Sequence, residues 1–247
     1  MNRFLNGLVK SVTNTWECAG PVLDVGAYLV DGQESLCDLR PYFPGKAFVG
    51  LDFRRGPGID IQGNAQCLPL ATGSIPTVVS MSCLEHVARF WEAAEEFERV
   101  LRPDGIALIS APFYFHIHNY PSDYWRFTPE AFELLFGGAT TRILGWQGSA
   151  KRPLNTWVVL FGKDRQPLTR KELLSFSQAL NQNTPEPIGW FREIVYGILA
   201  KVLGRRVFSP WLDRDGWGFR AFGLAGESSS VGVSSKSPQL IQCNPPD

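Results

Sequence analysis

The sequence has no uninterrupted apolar run approaching the roughly 20 residues of a membrane-spanning helix. Its first segment, MNRFLNGLVKSV, also lacks the continuous apolar core of a signal peptide. The five cysteines include no CxxC pair, which argues against a disulfide scaffold or a zinc site. Basic and acidic residues balance at 24 each, which argues against a general nucleic-acid binder. These absences predict a cytoplasmic protein without a bound metal.

The GxGxxG pattern of dinucleotide-binding proteins is absent as well, although its surroundings are present. The apolar segment VLDVGAYLVDG (22–32) breaks at Gly26, which is followed by Ala, Tyr and Leu. A second apolar run, AFVGLD, ends at Asp52, where an acid can take both hydroxyls of a ribose. A ribose acid without a pyrophosphate-binding turn indicates a nucleoside ligand that lacks the diphosphate.

The periodic segments alternate between strands and helices. The predicted strands are 21–27, 47–53, 59–63, 77–82 and 105–111, with helices at 33–39, 91–101 and 129–136. Thr128 is the predicted N-cap of the last of these helices. Two late strands, within TTRILGW and NTWVVLFG, have no helix between them. The pattern predicts an α/β fold with a doubly wound, mostly parallel sheet and an antiparallel pair at one edge.

Three regions are predicted along the chain. Residues 1–165 hold the α/β domain, 166–225 form a helical C-terminal extension, and 226–247 form a disordered tail rich in Ser, Pro and Gly. Residues 188–208 predict an apolar helix with a basic end. That helix is expected either to pack on the sheet domain or in a homodimer, or to contact anionic lipid at the inner membrane face.

Several segments together resemble the class I S-adenosylmethionine-dependent methyltransferases. They are VLDVGAYLVDG, FVGLDFRRGPGID, GNAQCLPL, SCLEHVARFWEAAEEFERVLRPDGIALISAP and PSDYWRFTPEAFELLF, which fall within about residues 20–165. The chain is most similar to a small bacterial-type group whose first motif ends in a DVNGS-like segment. The resemblance implies a seven-stranded Rossmann-like sheet with an antiparallel last strand, and S-adenosylmethionine as cofactor.

The resemblance also implies cofactor-binding residues. Those at the methionyl end are Asp24, Gly26, Ala27, Tyr28, Ser82 and Cys83. Those at the nucleoside end are Asp52, Phe53, Asn64 and Ala65. Tyr28 replaces a glycine of the group's pattern and Asn64 replaces an acid, although an amide oxygen still accepts a hydrogen bond from the adenine amino group. The structural alternatives are loop hydrogen bonds for Asp24, a strand-end turn for Asp52 and a helix cap for Asn64.

The segment PFYFHIHNYPSDYWRF after the fifth strand is the predicted acceptor site. It combines aromatic side chains with His116, His118 and Asp123, which are the candidate catalytic residues. Histidine can remove a proton from an acceptor hydroxyl, and aromatic side chains exclude water. The alternative is that the histidines and Asp123 only hold the loop, with Asp123 paired to Arg126. Glu85 and His86 are expected to stabilise the junction between the loop and the following helix.

The predicted function is methyl transfer to a hydroxyl or amine of a small molecule or glycan. Such a reaction is expected to need no metal, since the methyl donor is already activated. Two alternatives stay open: a non-catalytic relative that has lost cofactor binding, and a nicotinamide-dependent oxidoreductase.

Overall fold

The computed structural model describes residues 1–118, 121–184, 198, 216–226, 230–235 and 237–243, with backbone alone for 237–243. Ten strands lie within these described residues, and they form one sheet. In chain order they are β1 (Val22–Val25), β2 (Phe48–Asp52), β3 (Ile61–Gln62), β4 (Ile75–Met81), β5 (Leu101–Pro112), β6 (Arg142–Ser149), β7 (Arg152–Phe161), β8 (Trp217–Phe222), β9 (Ser230–Ser234) and β10 (Ser237–Cys243).

The sheet contains the predicted seven-stranded arrangement. Its strand order is β10-β9-β8-β6-β7-β5-β4-β1-β2-β3. Strands β1 to β5 are parallel to one another, whereas β7 is antiparallel to both β5 and β6. The order β3-β2-β1-β4-β5-β7-β6 confirms the predicted doubly wound α/β fold with its antiparallel strand.

The far end of the sheet differs from the sequence-based expectation. Strands β6 and β7 pair as predicted, but they are not at the edge because β8 pairs with β6 and β9 with β8. The tail expected to be disordered therefore contains β9 and β10, and the extension after 166 is not only helical. The valines at 231 and 233 are 1% and 4% exposed, so two apolar side chains anchor β9 despite its serine-rich composition.

Helices cover both faces of the sheet. On one face lie α1 (Arg3–Thr15) and α5 (Arg170–Asn183), and on the other α3 (Phe90–Val100) and α4 (Pro129–Leu135). The short α2 (Glu34–Cys37) follows β1. Thr128 caps α4 as predicted, its hydroxyl accepting a hydrogen bond from the N–H of Ala131 at 3.1 Å.

Helix α1 was not predicted from the sequence, although its pattern is helical. Its apolar residues Phe4, Leu5, Leu8, Val9 and Val12 recur on one face and are buried. The Asn2 side chain accepts a hydrogen bond from Leu5 N–H at 3.0 Å and caps the helix. Leu5, with Met1 and Asn2 just before the helix, lines a cavity beside the candidate active site.

The helix predicted over 188–208 lies outside the described residues, apart from residue 198. In the part of the chain that is described, helices long and apolar enough to cross a bilayer are absent. Whether 188–208 contacts protein or lipid stays a prediction.

Candidate active site

A cavity of about 320 Å³ lies at the carboxyl ends of β1, β2 and β4. Ligands of open α/β sheets bind at these ends. Nine of the ten predicted cofactor-binding residues line it, namely Asp24, Gly26, Tyr28, Asp52, Phe53, Asn64, Ala65, Ser82 and Cys83. Ala27 is the exception, since it is 4% exposed and its N–H donates to the carbonyl of Leu51. We call this space the first cavity.

Gly26 begins the turn after β1 in a conformation that favours glycine. Its φ is +90°, and a Cβ placed on it would lie 2.8 Å from Cβ and 2.9 Å from Sγ of Cys83. Glycine is therefore required here twice, by the left-handed backbone and by the close approach of Cys83. The turn leaves bare backbone at the wall of the first cavity.

Asp24 is a buried acid at the base of the first cavity. It is 4% exposed, and burial raises the pKa of its carboxyl to about 7. The guanidinium of Arg40 opposes that shift, whereas the charges of Asp38 and Asp52 add to it. A cationic ligand group in this cavity would favour the charged form of Asp24.

Asp52 ends β2 and is 7% exposed. Its carboxylate accepts hydrogen bonds from the N–H of Arg54 at 2.8 Å and from Nε of Arg54 at 3.1 Å. The Arg54 guanidinium also lies 4.1 Å from the ring centroid of Tyr28. A third hydrogen bond, 3.4 Å long, joins Nη2 of Arg54 to Oδ2 of Asp52. Because a carboxylate can accept about four hydrogen bonds, Asp52 keeps capacity for one further donor while Arg54 is bound.

The opposite end of the first cavity combines an exposed and a buried side chain. Phe53 is 66% exposed, whereas Ala65 is only 8% exposed. The side-chain oxygen of Asn64 accepts a hydrogen bond from the backbone N–H of Gln66 at 3.0 Å. Asn64 thus closes a local turn rather than capping a helix, and its oxygen retains a second lone pair.

Ser82 leaves β4 in an unusual backbone conformation. Its φ is +56°, and among the described non-glycine residues it alone has a positive φ. Its N–H donates to the carbonyl of Ser110 at 2.9 Å, which holds the turn against β5. Backbone strain of this kind is concentrated at functional sites, where the surrounding structure enforces it.

A second cavity, of about 380 Å³, adjoins the first. Met1, Ser82 and His118 line both spaces. The second cavity is also lined by Glu85, Tyr114, Phe115 and His116. The predicted acceptor segment therefore contributes to a cavity next to the predicted cofactor site.

Asp123 lines neither cavity, because it is bound within the loop. Its side chain is 1% exposed and forms a two-pronged ion pair with Arg126, one contact being 2.7 Å long. The Arg126 guanidinium holds the pKa of Asp123 far below its usual range. Asp123 Oδ2 also accepts from the backbone N–H of His118 at 2.8 Å. The geometry therefore fits a positioning role for Asp123, the alternative given for it above.

The turn after β4 anchors this loop. The backbone carbonyl of Glu85 accepts hydrogen bonds from the N–H groups of Tyr124 and Trp125, at 2.8 and 3.3 Å. The Glu85 side chain is fully buried, and burial raises the pKa of its carboxyl to about 8. His86 lies partly buried at the wall of the first cavity, and burial lowers its pKa. Sequence reasoning assigned both residues to the loop–helix junction and missed their place between the cavities.

Comparison with known proteins agrees with this arrangement. Residues 44–109 match the family model "Methyltransferase domain". An uncharacterized methyltransferase of Mycobacterium ulcerans (strain Agy99) is 40% identical over 55 residues, which are 22% of each chain. A probable S-adenosylmethionine-dependent methyltransferase of Mycolicibacterium smegmatis is 34% identical over 109 residues, which are 38% of this chain and 39% of that protein. The matches thus span well under half the length of these relatives.

Among solved structures, the chain is similar to Burkholderia thailandensis 1,6-didemethyltoxoflavin-N1-methyltransferase. That likeness covers 66% of this chain and 79% of the other, with 17% identity and a TM-score of 0.49. The fold assignment depends instead on the strand order and on the matched segment. On those two grounds, this chain carries a class I methyltransferase domain with a Rossmann-like sheet.

Proposed function

We propose that this chain is an S-adenosylmethionine-dependent methyltransferase that acts on a hydroxyl or amine of a small molecule or glycan. The observation that carries the proposal is the convergence of Asp24, Gly26 and Asp52 in one cavity at the ends of β1 and β2. This convergence occurs in a domain whose residues 44–109 match the methyltransferase family model.

The residues of the first cavity fit this cofactor. The cofactor carries an ammonium and a sulfonium group. Burial destabilises the charged form of Asp24, and a cationic group beside it would stabilise that form. Gly26 contributes backbone without a side chain to the wall of the cavity, and Cys83 packs where a Cβ would lie. In this proposal Asp52 accepts the ribose hydroxyls, for which Arg54 has to give up part of its contact, and Phe53 flanks the adenine. When bound, S-adenosylmethionine supplies a methyl group already activated by the sulfonium.

The second cavity is the proposed site of the acceptor. Its aromatic side chains exclude water, and its polar groups orient the acceptor for in-line attack. His116 or His118 would take the proton of an acceptor hydroxyl. His118 lines both cavities, whereas His116 lines only the second.

Calorimetry with S-adenosylhomocysteine tests the proposal directly. We expect saturable binding with one site per chain, and no binding of NADH under the same conditions. A folded protein that fails to bind S-adenosylhomocysteine would refute the proposal. If binding is found, a screen for transfer of a labelled methyl group to sugar, lipid and phenolic pools would identify the acceptor class.

One observation favours a second candidate, a non-catalytic relative. Arg54 already donates hydrogen bonds to Asp52 and covers the ring of Tyr28, the residue at which the first motif departs from the group's pattern. If this arrangement blocks the cofactor, Arg54→Ala should bind S-adenosylhomocysteine while the native chain does not. Similar affinity in both proteins would exclude this candidate.

The nicotinamide-dependent alternative is disfavoured by topology. Dinucleotide-binding sheets place six parallel strands in the order 3-2-1-4-5-6, whereas here the antiparallel β7 lies between β5 and β6. The cytoplasmic location, the homodimer and the contact of residues 188–208 with a membrane surface stay predictions. Sedimentation and vesicle co-flotation of the full chain would test the last two.

A further inference from the structure

Three side chains that could hold a metal ion meet at the boundary between the two cavities. They are Glu85 and His86, from the turn after β4, and His118, from the loop after β5. Each offers one ligand atom, and the three atoms lie within 4.8 Å of one another. Glu85 lines the second cavity, His86 the first, and His118 both. We call these three residues the boundary cluster.

The Glu85 carboxyl is the least satisfied polar group of the boundary cluster. Both oxygens are buried, and neither accepts a hydrogen bond from another residue in the part of the chain that the structure describes. The Glu85 carboxyl has a longer contact with His86, whose Nε2 lies 3.8 Å from Oε1 of Glu85. A buried carboxyl without hydrogen bonds is unfavourable unless a proton, a charge or a metal compensates it.

The two histidines are held in the orientation that is typical of metal ligands. Nδ1 of His86 lies 2.6 Å from the carbonyl oxygen of Ser122, which can only accept a hydrogen bond. The proton is therefore assigned to Nδ1, and Nε2, on the side of Glu85, carries the lone pair. Donation of the other ring N–H to a backbone carbonyl or a carboxylate orients histidines that bind metals.

His118 is supported in the same way. Its Nδ1 lies 3.0 Å from Oδ2 of Asp123 and 3.2 Å from the carbonyl oxygen of His116. Both partners are acceptors, so the proton is again assigned to Nδ1 and the lone pair to Nε2. The Arg126–Asp123 ion pair keeps Asp123 ionised and thereby favours this tautomer.

We propose that the boundary cluster binds a divalent first-row transition ion through Glu85, His86 and His118. Two imidazoles and one carboxylate favour such ions over Mg²⁺, which prefers oxygen ligands. Three protein ligands leave coordination positions open, as in catalytic rather than structural sites. This proposal departs from the expectation of metal-independent transfer stated above.

The open positions would face the space assigned to the acceptor, and this part rests on the proposed function. An acceptor hydroxyl bound to the ion would lose its proton more readily, and His116 would take that proton. The oxygen then forms a bond to the methyl carbon, while the electron pair of the breaking C–S bond stays on sulfur. His118 would be a ligand in this scheme, so the choice between the two histidines as base is settled in favour of His116.

Metal titration of the full chain tests the site without cofactor or acceptor. The protein is stripped with EDTA, dialysed and titrated with Co²⁺ and Zn²⁺, with Mg²⁺ as the hard-ion comparison. We expect one Co²⁺ per chain, with the absorption bands of nitrogen and oxygen ligands, and displacement by Zn²⁺. A thiolate-to-cobalt band, the absence of saturable binding or equal affinity for Mg²⁺ would each overturn the proposal.

Variants assign the binding to the boundary cluster. Glu85→Gln keeps the side-chain volume and removes the carboxylate. Both Glu85→Gln and His118→Ala should weaken Co²⁺ binding by about 10²-fold or more, which exceeds the usual effect of losing an outer-shell partner. His116→Ala is the matched control from the same loop and should keep the native affinity. An equal loss in His116→Ala, with all proteins folded by circular dichroism, would contradict the assignment. S-adenosylhomocysteine calorimetry on the same samples separates a failed metal site from a failed cofactor site.

Discussion

The two cavities are built in different ways. The first lies at the carboxyl ends of neighbouring parallel strands, with Gly26 and Ser82 at positive φ, and the loop after β5 completes its wall. The second depends on a loop whose side chains are held by other side chains, with Asp123 binding both Arg126 and His118. Strand ends are positioned by the whole sheet, whereas the loop depends on a few polar contacts. Changes in the loop should therefore affect the second cavity more than the strand ends of the first.

The largest expected effect is a loss of turnover when a histidine of the second cavity is replaced. It tests whether the second cavity carries out the chemistry while the first binds the cofactor. His116→Ala and His118→Ala should each lower turnover by about 10²–10⁴-fold, the usual effect of losing a positioned base or its partner. Neither histidine is assigned a cofactor contact, so the affinity for S-adenosylhomocysteine should change little, and least in His116→Ala, since His116 lines only the second cavity. The measurement is steady-state turnover with an identified acceptor, beside calorimetry.

The control for this prediction is Ile117→Ala. Ile117 lies between the two histidines and is 80% exposed, and it lines neither cavity. If both histidine variants keep turnover similar to that of Ile117→Ala, the loop is only a lid over the site. An amine acceptor that loses its proton to water would then be the better hypothesis.

The next effect falls on the first cavity alone. Asp52→Ala removes the acceptor of the ribose hydroxyls, and a hydrogen bond to a charged group contributes about 1.5–3 kcal/mol. Binding of S-adenosylhomocysteine should weaken roughly tenfold or more, without a change in the metal affinity of the boundary cluster. Unchanged affinity in a folded Asp52→Ala protein would show that Arg54, rather than a ribose, is the functional partner of this acid.

The comparison also explains what could be predicted from the sequence. The strands β1, β2 and β4 and the residues at their ends have local signals: apolar runs, a glycine break and a terminal acid. Nothing local indicates the boundary cluster, because His118 is far along the chain from Glu85 and meets it only when the loop docks on the turn after β4. His116 and His118 belong to one HxH pair and cannot be told apart from the sequence, yet only His118 lines both cavities.

Strand pairing at the far end of the sheet was hidden for a similar reason. Strand β9 has only two buried valines among serines and glycine, so its composition resembles that of a disordered tail. It is ordered by pairing with β8, which in turn pairs with β6. Such long-range pairing has no periodic signature in a single short segment. The parallel half of the sheet does have a periodic signature, because its strands alternate with helices along the chain.

A smaller effect, on stability, tests the tight turn at Gly26 in the wall of the first cavity. Gly26→Ala combines an unfavourable φ with a Cβ placed against Cys83, and Gly45→Ala is the matched control, since Gly45 has a φ of +71° and nothing within 4 Å. The free energy of unfolding should fall by about 1–3 kcal/mol more in Gly26→Ala than in Gly45→Ala, the usual range for overpacking. Urea denaturation measures both, and equal losses would mean that Cys83 moves aside without strain.

The smallest effect is a pH dependence that comes from Asp24. Its pKa is raised from 3.8 to about 7 in the folded chain, so the folded state retains a proton that the unfolded chain releases. Its contribution to stability is therefore complete below about pH 4 and is lost as the pH rises toward 7. Between pH 5 and 7 this loss should be on the order of 1–2 kcal/mol, after allowance for relaxation around the charge.

Asp24→Asn isolates that contribution, because it keeps the side-chain size and removes the titration. Arg40, Asp38 and Asp52 act on Asp24 in both directions and remain in the variant, so the difference between the two proteins reports Asp24 itself. The measurement is urea unfolding of both proteins at several values between pH 4 and pH 8. Saturating S-adenosylhomocysteine should reduce the difference, since its ammonium group supplies the missing cation. A native chain that follows the pH profile of Asp24→Asn, with and without ligand, would show that Asp24 is already compensated and needs no cationic group in the first cavity.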